Sequence, residues 1–242
     1  MADSDKAVSS VSSEQDIADF IRNANSVATH APRSGPAQGR IVFAMDATAS
    51  RQPHWDRAAH IQAEMFDAVG NIGTLDIQLV FFRGFGECKA SKWCRNAKEL
   101  RDKMTSVQCR AGHTQIARVL QHVINQSRKT PDQPIDALIY IGDCVEEDVD
   151  ALGHLAGTLG MSGTRIFIFQ DGGDPAAEAV FRDMCRLGNG AFARLDGSAA
   201  SALADMLGAI ASLIVGGFNA LSLYEKSKKS ASIGLLTDQL RR

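Results

Sequence analysis

The sequence has little of what builds disulfide frameworks, thiolate metal sites or nucleic-acid surfaces. Its five cysteines are an odd number without any C-x-x-C pair, which argues against a secreted disulfide framework and against a structural zinc site. Lysine and arginine number 26 against 28 aspartates and glutamates, so the strongly basic balance of a dedicated nucleic-acid binder is missing. We therefore expect free thiols and no nucleic-acid partner.

Signals for export, membrane insertion and nucleotide binding are also missing. The N-terminus, MADSDKAVSSVSSEQ, lacks the apolar core of a secretory signal, and no run approaches the roughly 18 apolar residues that cross a bilayer. Neither G-x-x-x-x-G-K-[ST] nor a G-x-G-x-x-G between a strand and a helix occurs, which argues against a phosphate-binding loop of those types. We expect a cytoplasmic protein with no membrane partner.

What is present is a core-forming region between two more polar ends. Residues 1–39 are rich in Ser, Ala, Asn and Gly and are predicted as an arm with one short helix from Ser13, followed by a linker. Residues 216–242 open with paired glycines, carry a basic cluster and are predicted as a C-terminal tail. The chain is 45% hydrophobic, enough for one substantial core, so residues 40–215 are predicted as one domain.

Apolar strands alternate with helical stripes through this region. The strand-like runs are RIVFAM (40–45), LDIQLVFFR (75–83), IDALIYIG (135–142), TRIFIFQ (164–170) and a shorter GAFARL (190–195). This alternation predicts an α/β fold: a doubly wound, mostly parallel central sheet with helices on both faces. GECKASKW (86–93) follows the second strand with too little chain for a helical crossover, so it is predicted as one antiparallel edge strand.

Oxygen-bearing side chains follow two of these strands and precede one helix. Asp46, Thr48 and Ser50 leave the first strand, Asp143 ends IDALIYIG, and Thr114 lies at the start of the helix that leads into that strand. Ligands of open α/β sheets gather at the carboxyl ends of the strands, so we expect these side chains to lie close together. Carboxylates and hydroxyls without imidazole or thiolate favour Mg²⁺, Mn²⁺ or Ca²⁺ over zinc.

Three short stretches carry a resemblance to a known family. D-A-T-A-S at 46–50, G-H-T at 112–114 and YIGDC at 140–144 resemble the three loops of the von Willebrand factor type A (vWA) domain, in the order and rough spacing of its metal-ion-dependent adhesion site (MIDAS). The resemblance covers about residues 40–215 and implies the Rossmann-like vWA fold. Carried over residue by residue, it implies a metal site made of Asp46, Thr48, Ser50, Thr114 and Asp143.

The sequence departs from the family pattern at three positions. Thr48 replaces the first Ser of the motif, His113 precedes Thr114 in place of a second Gly, and Cys144 follows Asp143 where the family usually has Gly. Thr48 keeps the hydroxyl but adds a methyl group and stiffens χ1. The five ligand chemistries are intact, while the surroundings of the ion are more crowded.

The resemblance implies a non-enzymatic protein-interaction module. A divalent cation, Mg²⁺ before Mn²⁺ or Ca²⁺, would keep an open coordination position that accepts an acidic side chain of a partner protein. Cytoplasmic members of the family often work beside an ATPase of the AAA+ class, so such a system is the partner that the resemblance suggests.

Other functions remain open from the residues alone. Asp46 could be the nucleophile of a Mg²⁺-dependent phosphohydrolase, with Thr48 positioning phosphate and Asp143 holding the ion, although such enzymes usually have an acid where Thr48 stands. The chain could also be a metal-free vWA scaffold. Taken singly, Asp46 and Asp143 could simply cap helices. A nucleophilic Cys144 is disfavoured because Asp143 raises the pKa of its thiol.

Overall fold

The computed structural model describes residues 37–48, 52–70, 72–195 and 200–241, so the helix predicted from Ser13 lies outside the described residues. The elements in chain order are β1 (Gln38–Asp46), α1 (Gln52–Ile61), α2 (Ala63–Val69), β2 (Thr74–Arg83), β3 (Glu87–Cys94), α3 (Ala97–Thr105), α4 (Ile116–Lys129), β4 (Ala137–Gly142), α5 (Val149–Met161), β5 (Arg165–Asp171), α6 (Pro175–Leu187), β6 (Ala191–Leu195), α7 (Ala200–Lys228) and α8 (Ala231–Leu240).

These strands form one sheet in the order β3-β2-β1-β4-β5-β6. All neighbouring strands run parallel except β2 and β3, which run antiparallel. The predicted fold class is therefore confirmed, including the antiparallel edge strand. Strand order grows in one direction from β1 and in the other from β4, so the topological switch point lies between these two neighbours. Ligands of open α/β sheets bind at such a point.

Strand β1 shows why helices cover both faces of the sheet. Every side chain from Ile41 to Met45 is at most 1% exposed. Ile41, Phe43 and Met45 belong to the core shared with α1, α2, α3, α7 and α8, whereas Val42 and Ala44 belong to the core shared with α4, α5 and α6. Each fully buried large side chain contributes about 1.5–3 kcal/mol, so an uninterrupted apolar strand is stable only between two helical layers.

Helix α3 follows the edge strand and is absent from the sequence predictions. Asn96 Oδ1 accepts a hydrogen bond from Glu99 N–H at 2.9 Å, and Glu99 Oε2 accepts one from Arg95 N–H at 3.0 Å, an arrangement close to a capping box. Only Leu100 and Met104 of this helix are buried. Two apolar positions are too few to reveal a helix by periodicity.

The segment 216–242, expected as a tail, is helical through most of the part that the structure describes, and it packs against the domain. Helix α7 breaks at Gly217, whose φ of 68° is a left-handed conformation that glycine adopts readily. Beyond the break, Leu221, Ile233 and Leu236 are buried. The side chain of Gln239 accepts from the N–H of Phe192 and donates to its carbonyl, both at 2.9 Å, so α8 covers the edge strand β6.

One described helix qualifies as a membrane span by length and composition alone. Ser201–Lys228 contains an 18-residue window with a mean hydropathy of 1.8, of which 61% is buried inside the protein. By its length and composition, this helix therefore contradicts the expectation that no apolar run approaches the length needed to cross a bilayer. Since most of the window packs against the sheet and α2, its apolar character matches that of a core helix.

Candidate metal site

A cavity of about 270 Å³ opens at the carboxyl ends of β1 and β4. Its lining contains Asp46, Thr48, Thr114 and Asp143, four of the five predicted ligands. The fifth, Ser50, lies outside the described residues, so its part in the site stays a prediction. The structure thus brings together side chains that are up to 97 positions apart in the chain, because β1 and β4 are neighbours in the sheet.

The loop after β1 is held by backbone contacts to two other segments. Asp46 is buried, and its Oδ1 accepts a hydrogen bond from Thr48 N–H at 2.7 Å, which is an Asx turn. The N–H of Ala47 donates to the carbonyl of Phe82 at 2.9 Å, and the carbonyl of Ala47 accepts from Arg110 N–H at 2.9 Å. The turn is therefore held in place by hydrogen bonds within the chain.

Thr114 is tied to the loop after β4 by a reciprocal pair of hydrogen bonds. Its N–H donates to Glu146 Oε2 at 2.8 Å, and its hydroxyl accepts from Glu146 N–H at 3.1 Å. The pKa of Glu146 is held below its usual value, mainly by the hydrogen bond from Thr114 N–H and secondly by the contact with His113 Nδ1 at 3.2 Å. A hydroxyl oxygen has two lone pairs, so this contact leaves one that could serve a cation.

Helix α4 begins beside the cavity, and a residue from another loop caps it. Its own N-cap residue, Gln115, makes no capping hydrogen bond with its side chain. Instead Glu147 Oε2 accepts from Ile116 N–H and Glu147 Oε1 from Ala117 N–H, both at 2.8 Å. A carboxylate at a helix N-terminus satisfies free N–H groups and favours the helix dipole. This contact holds the start of α4, and thereby the position of Thr114, which directly precedes the N-cap residue of that helix.

Sequence reasoning missed both Glu146 and Glu147. Glu146 also lines the cavity, and the two acids accept hydrogen bonds from backbone N–H groups at the start of α4 that lie 30 to 32 positions earlier in the chain. The available signal was the pair of consecutive acids shortly after the end of β4. That signal has no meaning until β4 and the start of α4 are known to be neighbours.

Gly112 allows the hairpin between β2 and β3 to approach this loop. A Cβ at Gly112 would lie 2.2 Å from the carbonyl oxygen of Gly84, and His113 N–H donates to that carbonyl at 3.3 Å. The hairpin tip carries Phe85, which is 85% exposed, with its ring centroid 5.3 Å from that of His113. An exposed aromatic side chain therefore lies beside the cavity, on a hairpin that is held by its contact with the loop that carries Gly112.

Two of the departures from the family pattern have a visible outcome. The His113 side chain contacts Phe85 and Glu146 and is outside the cavity lining, whereas Cys144 is part of it. Burial, with the neighbouring Asp143 carboxylate, raises the pKa of the Cys144 thiol to about 12. Cys144 is protonated at neutral pH, which supports the argument against a nucleophilic thiol.

Asp143 is not the N-cap of α5, the helix that follows it in the chain. Helix α5 takes Asp148 as its N-cap, whose side chain accepts from Ala151 N–H at 2.8 Å. Asp143 lies five residues earlier and lines the cavity instead. For α5, the capping role that the sequence offered to Asp143 therefore belongs to Asp148.

The side chains present suit a hard divalent cation. Across the described parts of the chain, no group of three or more His, Cys, Asp or Glu side chains is arranged as a metal cluster, so a metal here depends on hydroxyls beside the two aspartates. Carboxylate and hydroxyl oxygens are ligands for Mg²⁺, Mn²⁺ or Ca²⁺. The cavity exceeds the roughly 30 Å³ of one water molecule severalfold, so an ion there would leave room for a ligand from outside.

No protein-family model matches the sequence, and no curated protein matches it. Solved structures do match. The von Willebrand factor type A structure from Catenulispora acidiphila superposes with a TM-score of 0.58 at 14% identity, covering 74% of this chain and 43% of that one. The chain has the vWA fold.

Two further solved structures match with similar scores. An aerotolerance-related membrane protein from Bacteroides fragilis NCTC 9343 has a TM-score of 0.53 at 17% identity, with 70% of this chain and 98% of that chain covered. Proximal thread matrix protein 1 from the mussel byssus, with a zinc-occupied MIDAS motif, has a TM-score of 0.57 at 16% identity, with 72% and 48% covered. At such identities the structural likeness establishes the fold only, so the function has to be inferred from the residues of the site.

Proposed function

We propose that this vWA protein is a non-enzymatic interaction module that binds an acidic side chain of a protein partner through a divalent cation. The observation that carries the proposal is the convergence of Asp46, Thr48, Thr114 and Asp143 on one open cavity at the switch point of the sheet. The vWA fold and the zinc-occupied MIDAS of the mussel protein support it.

The side chains would hold the ion in a way that leaves it reactive toward another carboxylate. Asp46 and Asp143 supply negative charge, and Thr48 and Thr114, with Ser50 from outside the described residues, supply neutral hydroxyls. A shell rich in hydroxyls leaves more of the ion's charge uncompensated than a shell of carboxylates does. When bound, the cation provides a coordination position for the partner's acidic group.

The rim of the cavity supplies specificity. Glu146 already accepts from Thr114 and contacts His113, so its carboxylate is held on the wall by the chain's own donors. Phe85, exposed at the hairpin tip, offers an aromatic contact for an apolar neighbour of the partner's acidic residue. An ATPase of the AAA+ class in the cytoplasm remains the proposed setting, with Mg²⁺ as the proposed ion and Mn²⁺ or Ca²⁺ as alternatives.

The site favours binding over phosphoryl transfer. Asp46 Oδ1 is engaged by Thr48 N–H at 2.7 Å, and Asp46 is 2% exposed, which is a poor position for a nucleophile that must meet a phosphate. Thr48 stands where a phosphohydrolase usually has its second acid. The residue two positions after Asp46 is Thr48, whose hydroxyl does not replace the carboxylic acid that such an enzyme uses.

Cation binding can be tested directly by calorimetry and thermal unfolding with Mg²⁺, Mn²⁺, Ca²⁺ and Zn²⁺. A ligand at 100 times its Kd stabilises the native state by about 2.7 kcal/mol, so we expect the Tm of the wild type to rise by several degrees. The double variant Asp46→Asn, Asp143→Asn should not respond, whereas the exposed control Asp132→Asn should respond like the wild type. Equal responses of all three proteins would contradict the site, and no binding by the wild type would indicate a metal-free scaffold.

Partner binding can be tested by affinity capture with Mg²⁺ or with a chelator. We expect captured partners to be lost with chelator and with the double variant, and reduced with Phe85→Ser, which should keep the wild-type Tm because Phe85 is exposed. Capture that is independent of both the chelator and the aspartates would contradict a metal-mediated contact.

A further inference from the structure

A second and larger cavity lies at the opposite edge of the sheet. It has a volume of about 820 Å³ and is placed at the amino ends of β5 and β6, between α6 and α8. Three arginines line it, Arg165, Arg182 and Arg186, together with the apolar side chains of Phe192 and Leu240. We call it the arginine cavity. None of its lining residues belongs to the candidate metal site.

Arg165 places a positive charge in this cavity without a carboxylate partner among the described residues. Its Nη1 donates to the carbonyl of Asn189 at 2.9 Å, and its guanidinium lies 5.9 Å from the ring centroid of Phe218. Burial lowers the pKa of Arg165, yet a guanidinium stays protonated in proteins. A partly buried cation held by a carbonyl and a ring is incompletely compensated.

The other two arginines are held on one face of α6. Arg182 and Arg186 are four residues apart and therefore project to the same side of the helix. Arg182 lies over the ring of Phe192, 4.3 Å from its centroid, and shares Glu178 with Arg194. Arg186 pairs with Asp183 on the exposed surface, a contact that contributes little. Glu178 and Asp183 thus pair with two of the three arginines that line the cavity, and Arg165 is the third.

The lining itself contains no aspartate or glutamate within the described chain. Guanidinium groups match phosphate oxygens with paired N–H donors, better than an ammonium does. The volume falls within the roughly 300–1,000 Å³ that is typical of small-molecule sites and is far larger than inorganic phosphate needs. Phe192 and Leu240 give the organic part of a ligand an apolar wall.

We propose that the arginine cavity binds a phosphorylated small molecule of nucleotide size, with its phosphate groups on Arg165 and Arg186 and its organic part against Phe192 and Leu240. The site is independent of the metal site at the other edge of the sheet. Its ligand would bind whether or not a cation is present.

Calorimetry with ADP, pyrophosphate and adenosine in the presence of a chelator tests this site without any contribution from the metal site. We expect ADP to bind most tightly, pyrophosphate more weakly, and adenosine at least 100-fold more weakly than ADP. Arg165→Gln and Arg186→Gln should each weaken ADP binding at least tenfold. The matched control Arg101→Gln, on the exposed side of α3, should bind ADP like the wild type.

Fold integrity is checked by the Tm of each variant, and Arg186→Gln guards against a folding defect in Arg165→Gln because Arg186 is more exposed. Absence of ADP binding at millimolar concentration would overturn the proposal. So would ADP binding that both arginine variants leave unchanged. Equal affinity for ADP and pyrophosphate would overturn the part assigned to the apolar wall.

Discussion

Replacing Glu147 by Gln should destabilise the whole domain, although Glu147 belongs to a surface loop. Its two carboxylate oxygens each accept one backbone N–H at 2.8 Å, from Ile116 and Ala117 at the start of α4. The glutamine side chain has the same shape but keeps only one acceptor oxygen. Its NH₂ group would face the other N–H, so one hydrogen bond is lost and the remaining one is no longer charged.

The expected magnitude follows from these contacts. A hydrogen bond to a charged group contributes about 1.5–3 kcal/mol, and a negative charge at a helix N-terminus adds about 0.3–1 kcal/mol. Losing one bond and the charge should therefore cost about 2–4 kcal/mol. In a protein of 150–250 residues each kcal/mol shifts the Tm by about 2–4 °C, so we expect the Tm to fall by roughly 4–16 °C.

The assay is thermal unfolding by circular dichroism at pH 7 without divalent cations. Asp132→Asn, the same chemical change on an exposed turn, provides the control and should shift the Tm by less than 2 °C. If Glu147→Gln behaves like Asp132→Asn, the carboxylate does not hold the start of α4, and the placement of Thr114 must have another cause.

Two further predictions concern pH and backbone packing. Burial lowers the pKa of His122, whose Nε2 lies 2.8 Å from Gln78 Oε1. As the pH falls, the unfolded chain therefore binds a proton at this histidine before the folded protein does. The stabilising contribution of neutral His122 should be complete above pH 6.5 and be lost as the pH falls below that value. His122→Gln should therefore flatten the decline of Tm between pH 7 and 5.5, and an unchanged decline would exclude His122 as its source. Gly112→Ala would place a methyl group 2.2 Å from the carbonyl oxygen of Gly84, which should cost about 1–3 kcal/mol and abolish the cation response. Gly173→Ala, with no atom within 4 Å of the added Cβ, is the control, and equal Tm values for the two variants would refute the steric argument.

Strands β1, β2, β4 and β5 were predictable because each is an apolar run bounded by polar residues. Continuous burial from Ile41 to Met45 requires cover on both faces, and the sequence shows that requirement as an uninterrupted apolar run. The short connection before GECKASKW excluded a helical crossover and so predicted the antiparallel direction of β3. These are local properties, readable from neighbouring residues.

Elements with few buried positions were harder to predict. Helix α3 buries only Leu100 and Met104, and α8 is held to the domain partly by Gln239, whose side chain pairs with the backbone of Phe192 47 positions away. Neither feature has a clear periodic signal. A glutamine that completes a sheet edge cannot be told from an exposed glutamine until the edge is known.

The sequence by itself determined which side chains end strands β1 and β4 and that they carry oxygen, because strand ends and hydroxyls are properties of neighbouring residues. Only the tertiary structure decided that β1 and β4 are adjacent, that Glu146 and Glu147 bind the start of α4, and that three arginines surround one cavity at the opposite edge. The physical reason is that strand order and loop contacts depend on the packing of distant segments, where many weak interactions act together and no single stretch of sequence carries the information.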